Sequence, residues 1–221
     1  MIELRHIQKT FRVSRRSAGL SQAVKSLFRR EYETIHALQD VSFTIRDGEM
    51  VGYIGPNGAG KTTLMQMICG IVAPTSGEVK INGKNNIEMG EEFRNLLGYL
   101  PQEFGYTPGF TAEDFMLYIA SVKGLDPRYA RRRTRELMKL VSLEGDMKRK
   151  IRTFSGGMKR RLGIAQALLN DPKILIMDEP TAGLDPKERG VFRNGIAETE
   201  NDTTVICLLC KYIAADDIPW Y

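Results

Sequence analysis

The chain has 221 residues, 42% hydrophobic and 27% charged, the balance of a globular protein with one large domain or two lobes around a real core. No run of about 18 apolar residues occurs, which excludes a helical membrane span here, and Met1-Ile2-Glu3-Leu4-Arg5 lacks the apolar centre of a signal peptide, so a cytosolic protein is expected. The net charge of +5 is local: residues 12–30 hold Arg12, Arg15, Arg16, Lys25, Arg29 and Arg30 without an acid, so the chain as a whole is not built to bind nucleic acid. Cys69, Cys207 and Cys210 make no disulfide framework. The Cys207/Cys210 spacing has no second pair to hold zinc, and these residues are expected in a buried strand.

Ile2 to Ile7 alternates apolar and polar residues and predicts a strand, followed by Phe11 and the basic stretch. Within that stretch Leu20, Val24, Leu27 and Phe28 fall at helical spacing. They predict a short amphipathic helix with a cationic face, suited to an anionic membrane surface or an acidic partner, or else a solvated insertion. Val41 to Ile45 predicts a strand, Asp47-Gly48 a turn, and Met50 to Ile54 a short buried strand. Thr63 to Cys69 predicts a helix ended by Gly70. Glu78 to Ile81 with Asn82-Gly83 predicts a strand entering a tight turn, so the early strands should form a small antiparallel sheet. Leu96 to Leu100 predicts another strand, closed by Pro101-Gln102.

From Glu103 to about residue 153 the pattern turns helical. Thr111-Ala112-Glu113-Asp114 is a capping box, and Pro127 starts a second helix bearing Arg131, Arg132, Arg133 and Arg135, a basic group of the kind that helices turn to solvent. This block interrupts an α/β pattern, so it is expected to be a lobe at 103–153 inserted between core segments 1–102 and 154–221. Ser155 should cap a helix running to Leu169. Lys173 to Glu179 predicts a buried strand ending in two acids, Asp185-Pro186 starts a further helix, and Thr203 to Leu209 predicts the last strand.

The chemistry centres on Gly55-Pro56-Asn57-Gly58-Ala59-Gly60-Lys61-Thr62, which fits G-x-x-x-x-G-K-[ST] between a strand and a helix. Glycines let successive N–H groups curl round an anion, and the helix N-terminus adds partial positive charge. Lys61 is expected to reach the β- and γ-phosphates and the Thr62 hydroxyl to ligate Mg²⁺; Thr63 completes the phosphate-binding set. An apolar strand ending in Asp178-Glu179 puts one carboxylate near the metal's water shell. The second is placed as general base or to position the attacking water. Ser155-Gly156-Gly157 ahead of a helix is a second anion site. The expected fold is α/β: a P-loop NTPase core with a small antiparallel β subdomain and an inserted α-helical lobe.

In this order the motifs resemble those of ATP-binding cassette ATPase domains. Gly55 to Thr62 matches that family's phosphate loop, Gln102 its glutamine loop, Phe154 to Met158 its signature, Ile174 to Glu179 its metal-binding strand, and Ala182 to Asp185 its aspartate loop. The resemblance covers nearly all of the chain up to about residue 205. It implies ATP and Mg²⁺ as ligands, and a head-to-tail pair with a second cassette subunit, identical or not. Each ATP would lie between one subunit's phosphate loop and the other's Ser155, Gly156 and Gly157. It also implies that Gln102 touches metal and γ-phosphate and links them to a transmembrane permease, that Asp185 borders the nucleotide, and that an aromatic stacks on adenine. Phe11 is the first choice for that aromatic and Tyr32 the second.

Phe154 and Met158 stand where the family usually has Leu and Gln. The family also places a histidine just after the last core strand, whereas this chain has only His6 and His36. Matching Ile213 to Asp216 puts Tyr212 at that place; matching by strand length puts Cys210 there. The resemblance therefore implies a cytoplasmic ATPase subunit, peripheral on the inner membrane face through its permease and similar to export subunits, with turnover lowered by the missing histidine. The other readings are a cassette acting on nucleic acid or ribosomes and a nucleotide-binding module impaired in hydrolysis. Translation-factor cassettes usually come two to a chain, and chromosome-type ones separate phosphate loop and signature by a long coiled coil. Neither feature is present, and no nucleic acid is expected as a partner.

Overall fold

The alternation of Ile2 and Leu4 commits the first strand to one buried face. The computed structural model describes residues 1–14, 32–102, 105–179 and 203–210; the helix expected near 20–28, Asp185 and Tyr212 lie outside the described residues. Strand β1 (Ile2–Ser14) pairs antiparallel with β2 (Tyr32–Ile45), and the register shifts three times between Leu4 and Thr10. Leu4 faces Phe43 while Ile7 faces Val41, so three residues oppose two and β1 bulges, with His6 inside the bulge at φ 50. The extra residue returns Ile7 to the buried face although it breaks the period of two. Both strands run further than side-chain alternation foretold. Backbone pairing carries the hairpin outward past Phe11 and Arg12, where burial no longer marks the pattern.

Strands β3 (Met50–Gly55), β4 (Ser76–Ile81) and β5 (Lys84–Asn85) follow. The antiparallel sheet has the order β2-β1-β4-β5. Asn82 and Gly83, at φ 50 and 81, close the β4–β5 hairpin in the left-handed region that its two-residue turn requires.

Strands β6 (Leu97–Leu100), β7 (Ile174–Asp178) and β8 (Thr204–Cys210) join β3 in a parallel sheet of order β3-β8-β7-β6. Every residue of β7 is buried, which is why its sequence is a continuous apolar run without alternation. Ile174, Ile176 and Ile206 face a core shared with the antiparallel sheet and helix α1 (Lys61–Ile68). Leu175, Met177, Val205 and Cys207 face the opposite core. Fully burying one such aliphatic side chain is worth about 1.5–3 kcal/mol, so the sheet is held from both sides.

Helix α2 (Glu91–Leu96) leads directly into β6 and buries Phe93. It has no counterpart in the sequence expectations, because six residues are too few to show a helical period. Helices α3 (Ala112–Val122), α4 (Pro127–Leu140) and α5 (Gly156–Ala167) fill the second core. Their starts are where the caps foretold. The Thr111 hydroxyl accepts from Asp114 N, and Asp114 Oδ2 accepts from Thr111 N. Asp126 Oδ1 accepts from Arg128 N and Tyr129 N just before Pro127, and Ser155 Oγ accepts from Met158 N. An antiparallel bridge between Thr111 and Lys150 closes the helical segment at its base. Among the described residues no helix is long and apolar enough to cross a membrane.

Candidate functional site

Parallel pairing places the carboxyl ends of β3, β6 and β7 on one edge of the sheet, where ligands of such sheets bind. Gly55 ends β3, Pro101 and Gln102 follow β6, and Asp178 ends β7 with Glu179 next.

The loop from Pro56 to Gly60 turns β3 into α1. Gly58 and Gly60 lie at φ +81 and +79. At Gly60 a side chain is excluded twice over, since a Cβ would come within 2.4 Å of Ala37 O and 2.9 Å of Leu38 on β2. Ala59 N donates to Pro56 O at 3.3 Å, and Leu64 N to Gly60 O at 2.9 Å. Helices α3, α4 and α5 each have a side chain on their first amides, whereas α1 starts at Gly60 with no side-chain cap and no acid in its first turn. Its leading N–H groups are therefore left without a capping side chain. Lys61 is 8% exposed, and its ammonium donates to Gly55 O at 2.6 Å and Pro56 O at 2.9 Å, so the cation is held over the loop. At the other end of α1, buried Asn86 donates to Met67 O and Ile68 O at 2.7 and 3.0 Å, a C-terminal cap that sequence reasoning missed.

Thr62 Oγ1 donates to Asp178 Oδ2 at 3.2 Å. Burial pushes the Asp178 carboxyl above the usual carboxylate range; the Thr62 bond opposes this, the nearby Glu179 adds to it, and Arg160 and Lys61 pull down. Hydroxyl and carboxylate are hard oxygen donors, which fit Mg²⁺. Among the described residues no group of three or more His, Cys, Asp or Glu could form a metal cage. A magnesium ion here would be held by Thr62 and Asp178, with the Gln102 amide on the neighbouring strand end, together with water and phosphate oxygens. Gln102 Nε2 donates to Glu179 Oε2 at 3.2 Å, and Glu179 adopts φ 49, a left-handed backbone costly for a residue other than glycine.

Arg160 is the site residue that sequence reasoning missed. It is 7% exposed on α5, and its guanidinium donates to Pro101 O at 2.7 Å, Gln102 O at 3.1 Å and Asp178 O. Burial lowers its pKa while Asp178 and Glu179 oppose that, and an arginine stays charged. In the sequence Lys159, Arg160 and Arg161 are three cations in a row, and nothing in that run sets Arg160 apart as the one that turns inward.

The remaining candidates are not joined to this cluster by the described hydrogen bonds. Ser155, Gly156 and Gly157 form the outer end of α5, with Lys159 N on Ser155 O at 3.0 Å. Phe11, 39% exposed, faces Ile35 across the hairpin, with the Lys9 ammonium 5.1 Å from its ring centre. Lys9 pairs with Leu38, the residue against Gly60, so Phe11 lies two residues from the strand position that borders the phosphate loop. Tyr32 is 57% exposed and lies six residues from Leu38, roughly 20 Å along an extended strand. Strand β8 takes in Cys210, opposite Gly55, so a position just past the strand falls beyond the described residues.

Beside Gln102, a groove of about 630 Å³ opens between the parallel sheet and α3, lined by Tyr99, Pro101, Phe115, Ile119, Val122 and Lys123 among others. Burial pushes the Tyr99 hydroxyl up to about 12 and the Lys123 ammonium down, and that ammonium donates to Leu97 O at 3.1 Å.

Comparison with known proteins bears on these features together. The chain is 41% identical over 160 residues to an uncharacterized ABC transporter ATP-binding protein, YxlF, of Bacillus subtilis (strain 168), covering 72% of this chain and 52% of the relative. It is 39% identical over 160 residues to the Nod factor export ATP-binding protein I of Burkholderia pseudomallei (strain 1710b), covering 72% and 53%. The chain thus spans about half the length of the curated relatives it matches. Its fold is similar to the ATP-binding cassette MJ0796 in a dimeric post-hydrolysis state bound to ADP and Pi, with a TM-score of 0.78, 28% identity, and coverage of 94% of this chain and 87% of that one. The family model described as ABC transporter matches residues 38–182, from the strand behind the phosphate loop to beyond the acidic pair, and the chain belongs to that family.

Proposed function

We propose that this chain binds and hydrolyses ATP as one subunit of a head-to-tail cassette pair and drives transport through a separate membrane-spanning partner. The observation that carries this reading is the meeting of Thr62 with Asp178 and of Gln102 with Glu179 on the edge where β3, β6 and β7 end. The loop amides and Lys61 bind and orient the phosphates. Thr62 and Asp178 would hold Mg²⁺, directly or through its water, and such an ion would supply positive charge against the phosphates. Glu179 takes the proton of the attacking water, and Gln102 orients that water across its bond to Glu179. Phe11 offers its ring to adenine, Ser155, Gly156 and Gly157 cap the partner subunit's ATP, and Asp185 borders the nucleotide.

The groove beside Gln102 supports a permease contact: Phe115, Ile119 and Val122 give it an apolar wall, Glu91, Arg94 and Lys123 give it charged edges, and it includes Pro101, next to the residue that would sense the γ-phosphate. A relative named for Nod factor export supports export as the direction. With a permease bound, the chain would be peripheral on the cytoplasmic face of the membrane. Slow hydrolysis is supported by the histidines. His36 lies on the outer β2 strand, and the His6 ring is 2.8 Å from Asp40. Both are upstream of the phosphate loop, and the place where the family has its histidine falls on Tyr212 or, by strand length, on Cys210.

The test is purification of the tagged chain from its native membrane, with a steady-state ATPase assay on the material. Recovery of a polytopic membrane protein with ATP-dependent turnover is the expected result. Recovery of RNA or ribosomes instead would overturn the transport reading, and nucleotide binding without turnover would leave a regulatory module.

A further inference from the structure

Helix α5 does two things at its two sides. Its exposed end carries Ser155, Gly156 and Gly157, while five residues on, about 7.5 Å along the axis, Arg160 turns inward. The three carbonyls that Arg160 binds belong to Pro101, Gln102 and Asp178. Gln102 leaves β6 and Glu179 leaves β7 at these points, and their side chains are bonded to each other. A single guanidinium therefore joins the helix that starts with the signature to the backbone beneath both residues facing the γ-phosphate. A planar fork with five donors can span three carbonyls on two strand ends, which a lysine ammonium on its single stem cannot match. A buried cation is tolerated only where its acceptors are rigidly in place.

We propose that Arg160 is a positioning residue that makes the Ser155–Gly157 end of α5 move with the Gln102–Glu179 pair of the same subunit. A change at a subunit's own phosphate site then reaches the end of α5 that caps its partner's ATP. The proposal rests on the head-to-tail dimer proposed above. In that dimer each ATP touches one subunit's loop and the other's signature. A strut inside each subunit closes the circuit, so the two ATP sites are coupled, and the coupling is reciprocal. It runs through packed helix and hydrogen-bonded backbone that shift together.

The test uses the whole chain and the variants Arg160→Lys, which keeps the charge but loses the fork, and Arg160→Gln, which loses both. Three quantities are measured: melting temperature, affinity of the dilute monomer for a fluorescent ATP analogue, and ATP-driven dimerisation by stopped-flow light scattering before hydrolysis. The expected result is analogue affinity within about twofold of the parent, with dimer affinity down about tenfold and a Hill coefficient for ATP falling toward 1, within the range of ordinary couplings between sites. A purely structural role would instead lower melting temperature and analogue affinity together. The folded fraction would then keep the parent's steep ATP dependence in both variants, and that outcome overturns the proposal alone. A parent chain that binds the analogue but never dimerises with ATP overturns the head-to-tail reading, and this proposal with it.

Discussion

Gln102 Nε2 lies 3.2 Å from Glu179 Oε2, although the two residues leave different strands and are separated by 77 positions in sequence. Parallel pairing of Leu100 with Met177 sets this distance, because it brings the two strand ends level. Glu179, the proposed general base, is thereby anchored to the loop beside the groove, and the site is an arrangement of strand ends rather than of one motif.

Glu179→Gln keeps an oxygen facing Gln102 but cannot take a proton. Steady-state turnover should fall by about 10²–10⁴ with ATP binding retained, the usual size of a general-base contribution. An unchanged rate would remove Glu179 from that role. Tyr212→His should raise the parent's rate if Tyr212 stands at the family's histidine position, and no change would argue against that alignment.

The two left-handed glycines of the phosphate loop should respond unequally. At Gly58 nothing lies within 4 Å of an added Cβ, so Gly58→Ala carries only the backbone cost of about 1–2 kcal/mol. Gly60→Ala adds a collision with Ala37 O at 2.4 Å and must shift β2 or the loop. Gly60→Ala should therefore lower the melting temperature more and weaken nucleotide binding as well. Equal effects in parallel thermal and binding measurements would contradict the tight contact with β2.

Asp178→Asn should stabilise the nucleotide-free protein at neutral pH while weakening Mg²⁺-dependent nucleotide binding. The sign follows from burial, which raises the folded-state pKa of Asp178. The unfolded carboxyl ionises near 3.9, so below that pH both states are protonated and parent and variant should match. As pH rises through the raised folded-state value, the parent must hold a buried charge and loses stability that the variant keeps. Melting curves at pH 3.5 and 7 would show the gap opening with pH, and a gap that closes with pH would reverse the assignment.

The cap of α3 should titrate the other way. Hydrogen bonds from Thr111 hold the exposed Asp114 carboxyl below the usual range, so its contribution is present above the unfolded pKa and is lost as pH falls through the folded one. Thr111→Ala should cost about 1 kcal/mol at neutral pH. That cost should shrink in acid, as read from urea unfolding at pH 7 and pH 3.

The sequence by itself determined what depends on near neighbours. The order and spacing of Gly55 to Thr62, the caps at Thr111, Asp126 and Ser155, and the buried run ending at Asp178 are all legible, because a turn, a cap or a continuously apolar strand is specified within a few residues. Only the tertiary structure decided which strand ends meet. The order β3-β8-β7-β6 brings Gln102 to Glu179 and Thr62 to Asp178, and the close approach of β2 makes Gly60 irreplaceable. The bulge at His6 and the inward turn of Arg160 belong to the same class. These relationships join residues far apart in the chain. They follow from strand register and from the need to satisfy buried polar groups, which local spacing does not encode.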